Sequence, residues 1–173
     1  YGHRLRKDID IFVPDPQYLG YATPRLSDTA ASLTEEYTEM PGSFVKLQFE
    51  EGEVDFVAAP NLTDAAWERW EIQGRPVRVE TAAEVIAKKM YHRGDRATAR
   101  DLFDLSMVVE REPEALAAAT PFLMRNRDRF LEQIGQPGAG FVATFEAIAA
   151  TGYQPSLAHC VEVATAYLSA LKE

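Results

Sequence analysis

Hydrophobic and polar residues alternate along several short stretches in the first 80 residues of this chain. Successive side chains on a strand point to opposite faces, so this alternation predicts half-buried β-strands. A short turn containing a glycine, Gly52 or Gly74, separates two pairs of these stretches and predicts two hairpins. The predicted strands cover residues 8–13, 43–49, 53–59, 67–73 and 76–79.

Elsewhere apolar residues recur every three or four positions, which is the spacing of one face of an α-helix. One such segment runs from Thr23 to Tyr37, with Thr23 as the capping residue and Pro24 in the first turn. Beyond residue 80 the pattern is helical, and the predicted segments are 81–93, 97–110, 113–119, 121–134, 141–150 and 156–171. We therefore predict an α/β lobe over residues 1–80 and a helical lobe over residues 81–173.

The composition is typical of a globular protein, since 46% of the 173 residues are hydrophobic and 26% are charged. A net charge of −9 argues against a general nucleic-acid coat or a binder of anionic membranes. No apolar run reaches the length of a membrane span, and the single cysteine favours a reducing, cytoplasmic location. The chain lacks an initiator Met and enters a strand almost at once, so we expect further residues upstream.

Two carboxylates share one side of the first predicted strand. Asp8 and Asp10 lie two positions apart, which separates them by about 7 Å, while Ile9, Ile11 and Val13 form the opposite, core-facing side. Two carboxylates this close are energetically unfavourable unless a cation or basic groups neutralise them. Hard oxygen ligands of this kind suit Mg²⁺. The alternative is an edge strand with two solvated aspartates.

A third aspartate, Asp55, is embedded among apolar residues in the second strand of the first hairpin. A lone charge in such surroundings usually has a partner. If the strands pair so that Asp8, Asp10 and Asp55 face one cleft, they can hold two divalent ions over a triphosphate. Such metals activate an attacking hydroxyl and stabilise the departing pyrophosphate.

The first helix after residue 80 contains a lysine on its apolar stripe. At 100° per residue Lys89 falls between Val85 and Ile86, whereas Lys88 falls nearer Glu84 on the polar face. Lys89 either extends its ammonium group to solvent or binds nucleotide phosphates.

The next helix carries Asp101 and Asp104, which are three residues apart and share a face. Asp104 either pairs with Arg100 on the helix surface, or one of the two aspartates orients Lys89 or accepts a proton. Arg93, Arg96 and Arg100 form a local basic strip that suits a triphosphate or an RNA end.

Other residues are weaker candidates for chemistry. The three histidines have no metal-ligand spacing among themselves or with Cys160, which we expect to be buried by helix packing. Trp67 and Trp70 are expected to pack in the core or within the second hairpin. The basic segment before the first strand, including Arg4 and Arg6, is either a solvated lead-in or contacts phosphates.

Two groups of residues resemble a known family. Gly2-His3-Arg4 leading into Asp8-Ile9-Asp10, followed by Glu53-Val54-Asp55-Phe56, resembles the polymerase-β-type nucleotidyltransferases. Val79-Glu80-Thr81, the run ending in Lys88-Lys89, and Arg100-Asp101-Leu102-Phe103-Asp104-Leu105 together resemble the AbiEii/AbiGii-type toxin nucleotidyltransferases. The likeness covers roughly residues 2–110, and the later helices match only as a bundle.

This resemblance implies an α+β fold, with a nucleotidyltransferase-type mixed sheet and flanking helices followed by a C-terminal helical bundle. It implies a toxin of a toxin–antitoxin or abortive-infection system that transfers a nucleoside monophosphate from a nucleoside triphosphate to an acceptor hydroxyl. Mg²⁺, or Mn²⁺, would be held by Asp8 and Asp10 with Asp55 assisting or acting as the base. Lys89 would be the helix lysine and Asp101 or Asp104 its acidic partner, with nucleotide contacts from Arg4, Arg6, Arg93 and Arg100.

The partners implied are GTP or another nucleotide, a transfer-RNA acceptor end and a cognate antitoxin. Two departures from the family pattern bear on activity. The glycine-rich motif that normally precedes this region is absent from the sequence, and Arg6 stands where members often carry a small hydroxyl residue. The alternative hypothesis is a non-catalytic nucleotide-binding or interaction module with the same fold.

Overall fold

The computed structural model describes residues 8–172, which divide into two compact units, residues 8–61 and 62–172. The predicted change from strands to helices does occur near residue 80. The second hairpin, however, groups with the helices rather than with the first sheet. Each unit is described by itself below.

The first unit is built on a mixed four-stranded sheet in the order β1-β4-β3-β2. β1 pairs with β4 in parallel, and the other neighbours are antiparallel. A 3₁₀ turn, Pro16–Tyr21, and a short helix connect β1 to β2. The elements are β1 Ile9–Val13, α1 Asp28–Leu33, β2 Tyr37–Met40, β3 Phe44–Phe49 and β4 Gly52–Ala58.

The core of this unit lies on one face of the sheet, where Val45 and Leu47 pack with Leu19 and Ala22 from the connecting segment. Burial of such apolar side chains stabilises the sheet by roughly 1.5–3 kcal/mol each. Ile9 and Ile11 were predicted to face this core, but they are 59% and 38% exposed. β1 is an edge strand, so its residues have a neighbour in the sheet on one side only.

The predicted helix from Thr23 to Tyr37 is wrong in its extent. Ser27 rather than Thr23 caps α1, accepting a hydrogen bond from the N–H of Ala30. The chain then turns at Thr34, whose hydroxyl accepts from the N–H of Glu36 and donates to the carbonyl of Gln48 on β3. These bonds redirect residues 37–40 into pairing with β3, so tertiary pairing overrides the local helical pattern.

The second unit begins with the hairpin of β5, Trp67–Ile72, and β6, Arg75–Glu80. Gln73 and Gly74 both have positive φ, 51° and 73°, as a two-residue hairpin turn requires. Trp67 and Trp70 are 40% and 50% exposed, so they do not pack in a core. They contact Arg78 and Glu68 of their own hairpin, which was the other expectation.

Helices form the rest of the second unit. They are α2 Ala82–Arg93, α3 Ala99–Arg111, α4 Thr120–Met124, α5 Arg127–Gly135, α6 Ala139–Glu146 and α7 Leu157–Ala170. Their apolar faces meet in one core that includes Cys160, which is buried as predicted. In the described part of the chain, none of these helices is both long and apolar enough to cross a bilayer.

The predicted helix over residues 121–134 is broken into α4 and α5 at Asn126. The Asn126 side-chain amide donates to the carbonyls of Met90 and Tyr91, at 2.9 and 3.1 Å. These are terminal carbonyls of α2, which need partners from outside the helix. The segment predicted as a helix over 113–119 is a 3₁₀ turn, Ala115–Ala119.

Candidate active site

The sheet of the first unit brings acidic side chains from two strands together. Asp10 of β1 stands directly beside Asp55 of the parallel strand β4, so the two side chains emerge on the same face. Asp8 immediately precedes β1 and lies two residues from Asp10, which places it on that face by alternation. We call Asp8, Asp10 and Asp55 the carboxylate face.

A lysine that the sequence analysis did not single out also lies on this face. Lys46 of β3 is paired with Asp55 in the antiparallel register. Its Nζ lies 2.6 Å from an oxygen of Glu53 and 3.4 Å from Oδ2 of Asp55. The sequence contained a signal for the position of Lys46. Lys46 alternates with Val45 and Leu47, and the hairpin register then brings Lys46 opposite Asp55.

The electrostatics of Asp55 are unusual for an aspartate in a sheet. Burial raises the pKa of Asp55, the charge of Lys46 opposes this rise, and the neighbouring charge of Asp10 adds to it. Oδ1 of Asp55 is buried and has no hydrogen-bond partner among residues 8–172. A bound cation would offset both the burial and the repulsion from Asp10.

The carboxylate face fits a hard divalent cation by its donor chemistry, since Mg²⁺ and Mn²⁺ prefer carboxylate oxygens. Within residues 8–172, no three acidic, histidine or cysteine side chains already converge as a metal-binding group. Binding would therefore require side-chain rotation of the exposed Asp8 and Asp10 toward Asp55. The assignment of Asp8, Asp10 and Asp55 as metal ligands stays a prediction.

The second unit contains a separate charged cluster at the contact between α2 and α3. Nζ of Lys89 lies 3.0 Å from Oδ1 of Asp101 and 2.5 Å from Oδ2 of Asp104. Both carboxylates are buried, and only 13% of the Lys89 side chain is exposed. Lys89 therefore does not simply extend into solvent, and both aspartates orient it.

Asp101 has further partners that hold it in place. The Nη2 atom of Arg93 lies 2.6 Å from Oδ1, and the backbone N–H and hydroxyl of Thr98 donate to Oδ2. The Thr98 hydroxyl in turn accepts from the Asp101 N–H, which makes a capping box at the start of α3. Burial by itself would raise the pKa of Asp101, but Lys89, Arg93 and Thr98 outweigh it and hold that pKa below its usual range.

We call Lys89, Arg93, Asp101 and Asp104 the lysine–aspartate cluster. Two cations face two carboxylates in it, so the formal charges of these four described side chains balance. Arg93 is the most accessible member, with 45% of its side chain exposed. An incoming phosphate would thus meet the guanidinium of Arg93 first and compete with a carboxylate for each cation.

Two interpretations of neighbouring residues are corrected by the structure. The suggested surface pair of Arg100 with Asp104 is wrong, because Asp104 is buried against Lys89 while Arg100 is exposed. Lys88 does lie beside Glu84, but it is buried rather than on a solvated face, and it binds Glu80 as well.

Glu84 explains why this second lysine is buried. Its carboxylate, which is fully buried, accepts hydrogen bonds from the N–H groups of Leu62 and Thr63 and from the Thr63 hydroxyl. Glu84 thereby ties the segment before β5 to α2, and Lys88 offsets the negative charge of Glu84.

Two other arginines of the predicted basic strip do not join the lysine–aspartate cluster. Arg100 lies outside the cluster, and Arg96 is exposed beside Asp95. Arg4 and Arg6 lie outside the described residues, so their predicted contacts stay predictions.

The sequence model of the family described as "Nucleotidyl transferase AbiEii toxin, Type IV TA system" matches residues 1–170. No curated protein sequence is significantly similar to the chain.

A solved structure from H. pylori, provisionally assigned as a nucleotidyltransferase, is similar with a TM-score of 0.55 and 15% identity. The match covers 99% of this chain and 80% of that one, and at this identity it shows the fold alone. It confirms the predicted α+β class. Because the family model matches nearly the whole sequence, the chain belongs to the AbiEii nucleotidyltransferase toxin family of type IV toxin–antitoxin systems.

Proposed function

We propose that this chain transfers a nucleoside monophosphate from a nucleoside triphosphate to a hydroxyl at an RNA end, with Mg²⁺ or Mn²⁺ held at the carboxylate face. The observation that carries this proposal is the pairing of Asp10 with Asp55 on adjacent parallel strands, together with the buried Oδ1 of Asp55, which has no hydrogen-bond partner among the described residues. Burial and the charge of Asp10 both raise the pKa of Asp55, and a divalent cation would offset both effects, which supports metal binding there. Family membership supports the reaction type.

When bound, the divalent ion supplies positive charge that stabilises the phosphates and acidifies the attacking hydroxyl. Asp8 and Asp10 hold the ion through their carboxylate oxygens. Asp55 takes the proton from the acceptor hydroxyl, since its Oδ1 accepts no hydrogen bond from the described residues. The hydroxyl oxygen bonds to the α-phosphorus, the bond from that phosphorus to the β-phosphate oxygen breaks, and pyrophosphate leaves.

Lys89 and Arg93 bind phosphate oxygens of the nucleotide in this proposal. Asp101 and Asp104 position Lys89, because each lies within ion-pair distance of its Nζ. Holding a lysine between two buried carboxylates limits its rotamers, so less conformational entropy is lost when phosphate binds. A cognate antitoxin protein is the partner that the type IV family implies.

The test is transfer of label to RNA. The protein is incubated with total RNA, Mg²⁺ and each of the four α-labelled nucleoside triphosphates in turn, GTP included. We expect labelled RNA with the wild type and loss of label with Asp10→Asn. Asp128→Asn is the matched control, since Asp128 is 84% exposed and far in sequence from the carboxylate face.

Absence of labelling by the wild type with every nucleotide, or equal labelling by Asp10→Asn, would contradict the proposal. Tight nucleotide binding by calorimetry without any product would instead favour the non-catalytic module.

A further inference from the structure

The β5–β6 hairpin carries two tryptophans and three arginines on a ribbon whose residues are almost all exposed. A two-stranded ribbon is only marginally stable in water by itself, and exposed tryptophan is unfavourable there. Tryptophan and arginine are also the residue types most enriched at binding hot spots. The hairpin thus has the composition of a surface that contacts a partner.

The register separates the two faces of the hairpin. Arg69 stands directly opposite Arg78, and Trp67 lies two residues from Arg69, so these three side chains share one face. The guanidinium of Arg78 lies 4.3 Å from the centre of the Trp67 ring, which is consistent with this placement. We call Trp67, Arg69 and Arg78 the arginine face. Trp70, Ile72, Val77 and Arg75 lie on the opposite face.

The two arginines of the arginine face have no carboxylate partner among the described residues. Like charges directly opposite each other on paired strands are destabilising. Among the described residues, neither Arg69 nor Arg78 forms an ion pair with a carboxylate, and Glu71, nearer the turn on the same face, pairs with neither guanidinium. Glu80, at the base of this face, is bound to Lys88. An anion placed between the two guanidinium groups would remove their mutual repulsion.

We propose that the arginine face binds single-stranded RNA, with one phosphate between Arg69 and Arg78 and one base stacked on Trp67. A flat ring beside two cations matches the combination of base stacking and phosphate neutralisation that single-stranded nucleic acids need. The phosphate makes charge-assisted hydrogen bonds to both planar guanidinium groups.

A protein partner fits this face less well. Arginine and tryptophan also occur in protein interfaces, but the centre of the arginine face is a pair of like charges that an anion would neutralise, and a nucleic-acid backbone carries such an anion at every nucleotide. The whole chain is acidic, with a net charge of −9, so two arginines that form no ion pair with a described carboxylate also concentrate the attraction for an anionic strand.

This inference rests on the proposed function in one respect, namely that RNA is the acceptor. The experiment therefore measures binding without nucleotide or Mg²⁺, so that a failure of catalysis does not affect the result. A fluorescein-labelled single-stranded RNA of about 12 nucleotides is titrated with the protein, and anisotropy gives the affinity at several salt concentrations.

We expect Trp67→Ala to weaken binding by about 5-fold to 150-fold, the equivalent of the stacking of one base. Arg69→Gln/Arg78→Gln should weaken binding and reduce the slope of log affinity against log salt, by about 0.7 if the two guanidiniums share one phosphate. The matched controls lie on the opposite face of the same hairpin. Trp70→Ala and Arg75→Gln should bind nearly as tightly as the wild type.

Three outcomes would overturn the inference. The wild type fails to bind the RNA, the arginine-face variants bind as well as the wild type, or the opposite-face variants lose as much affinity as Trp67→Ala. Sedimentation of the same variants provides a second readout. A wild-type dimer that Trp67→Ala converts to a monomer, with RNA affinity unchanged, would assign the face to self-association instead.

Discussion

The lysine–aspartate cluster predicts a large, pH-dependent cost for removing one side chain. Lys89→Met keeps much of the aliphatic volume but removes the ammonium group that lies 3.0 Å from Asp101 and 2.5 Å from Asp104. Arg93 then remains as the cation beside Asp101, at 2.6 Å, while Asp104 loses its ion pair with Lys89. Breaking a buried ion pair by deleting one partner costs about 3–5 kcal/mol, and we expect about 3 kcal/mol because Arg93 remains.

The loss of stability caused by Lys89→Met should become smaller in acid, because the substitution changes the pKa of Asp101. In the wild type the pKa of Asp101 is lowered, so its contribution to stability is present above the ordinary value of 3.8 and is lost as pH falls through the lowered pKa. Without Lys89 the largest contribution that lowers this pKa is removed while burial stays, so the pKa of Asp101 rises relative to the wild type. The variant then loses less stability than the wild type as pH falls, so the cost of the substitution becomes smaller.

The measurement is urea unfolding followed by circular dichroism of the helices, from neutral pH down to about pH 3, which passes through the ordinary carboxyl pKa of 3.8. Lys172→Met, which removes an exposed lysine, should change the free energy of unfolding by less than about 0.5 kcal/mol. The double variant Lys89→Met/Asp104→Leu should recover most of the loss, because a buried pair replaced by apolar residues is often neutral. A loss below about 1 kcal/mol for Lys89→Met, or one that grows in acid, would refute the reasoning.

Three further predictions follow from single contacts. Lys46→Met removes the positive charge that opposes the rise in the pKa of Asp55, so this pKa should rise further. The acidic limb of the plot of kcat/KM against pH should then move to higher pH. An unchanged limb would argue against Asp55 as the base. Gly94→Ala places a Cβ 2.8 Å from the Cβ of Asn126 and should cost about 1–3 kcal/mol in urea unfolding, whereas Gly138→Ala, with open space around it, should not. Glu84→Ala leaves buried N–H donors without an acceptor and should lower the free energy of unfolding by about 3 kcal/mol or more, measured in the same way.

Much of the candidate site follows from local rules that act along the chain. Strand alternation by itself places Asp8 and Asp10 on one side, and helical spacing puts Asp101 and Asp104 on one face. Thr81 caps α2 at the predicted start of that helix, because capping depends on a side chain and a backbone N–H three residues apart. Such patterns need no knowledge of distant residues.

Contacts between residues far apart in sequence decided the rest. Residues 37–40 became β2 because β3 offered hydrogen bonds that a local helix could not match, and Lys46 joined the carboxylate face only through the register of β3 with β4. The burial of a side chain depends on which elements pack together. Packing buried Lys88 and Asp104 and left Trp67 exposed. The sequence by itself thus determined most of the strands and helices, but not β2, and it determined the family, because these depend on local periodicity and short motifs. The tertiary structure alone decided which charges neutralise one another, because electrostatic partners are chosen by distance in space and not by distance along the chain.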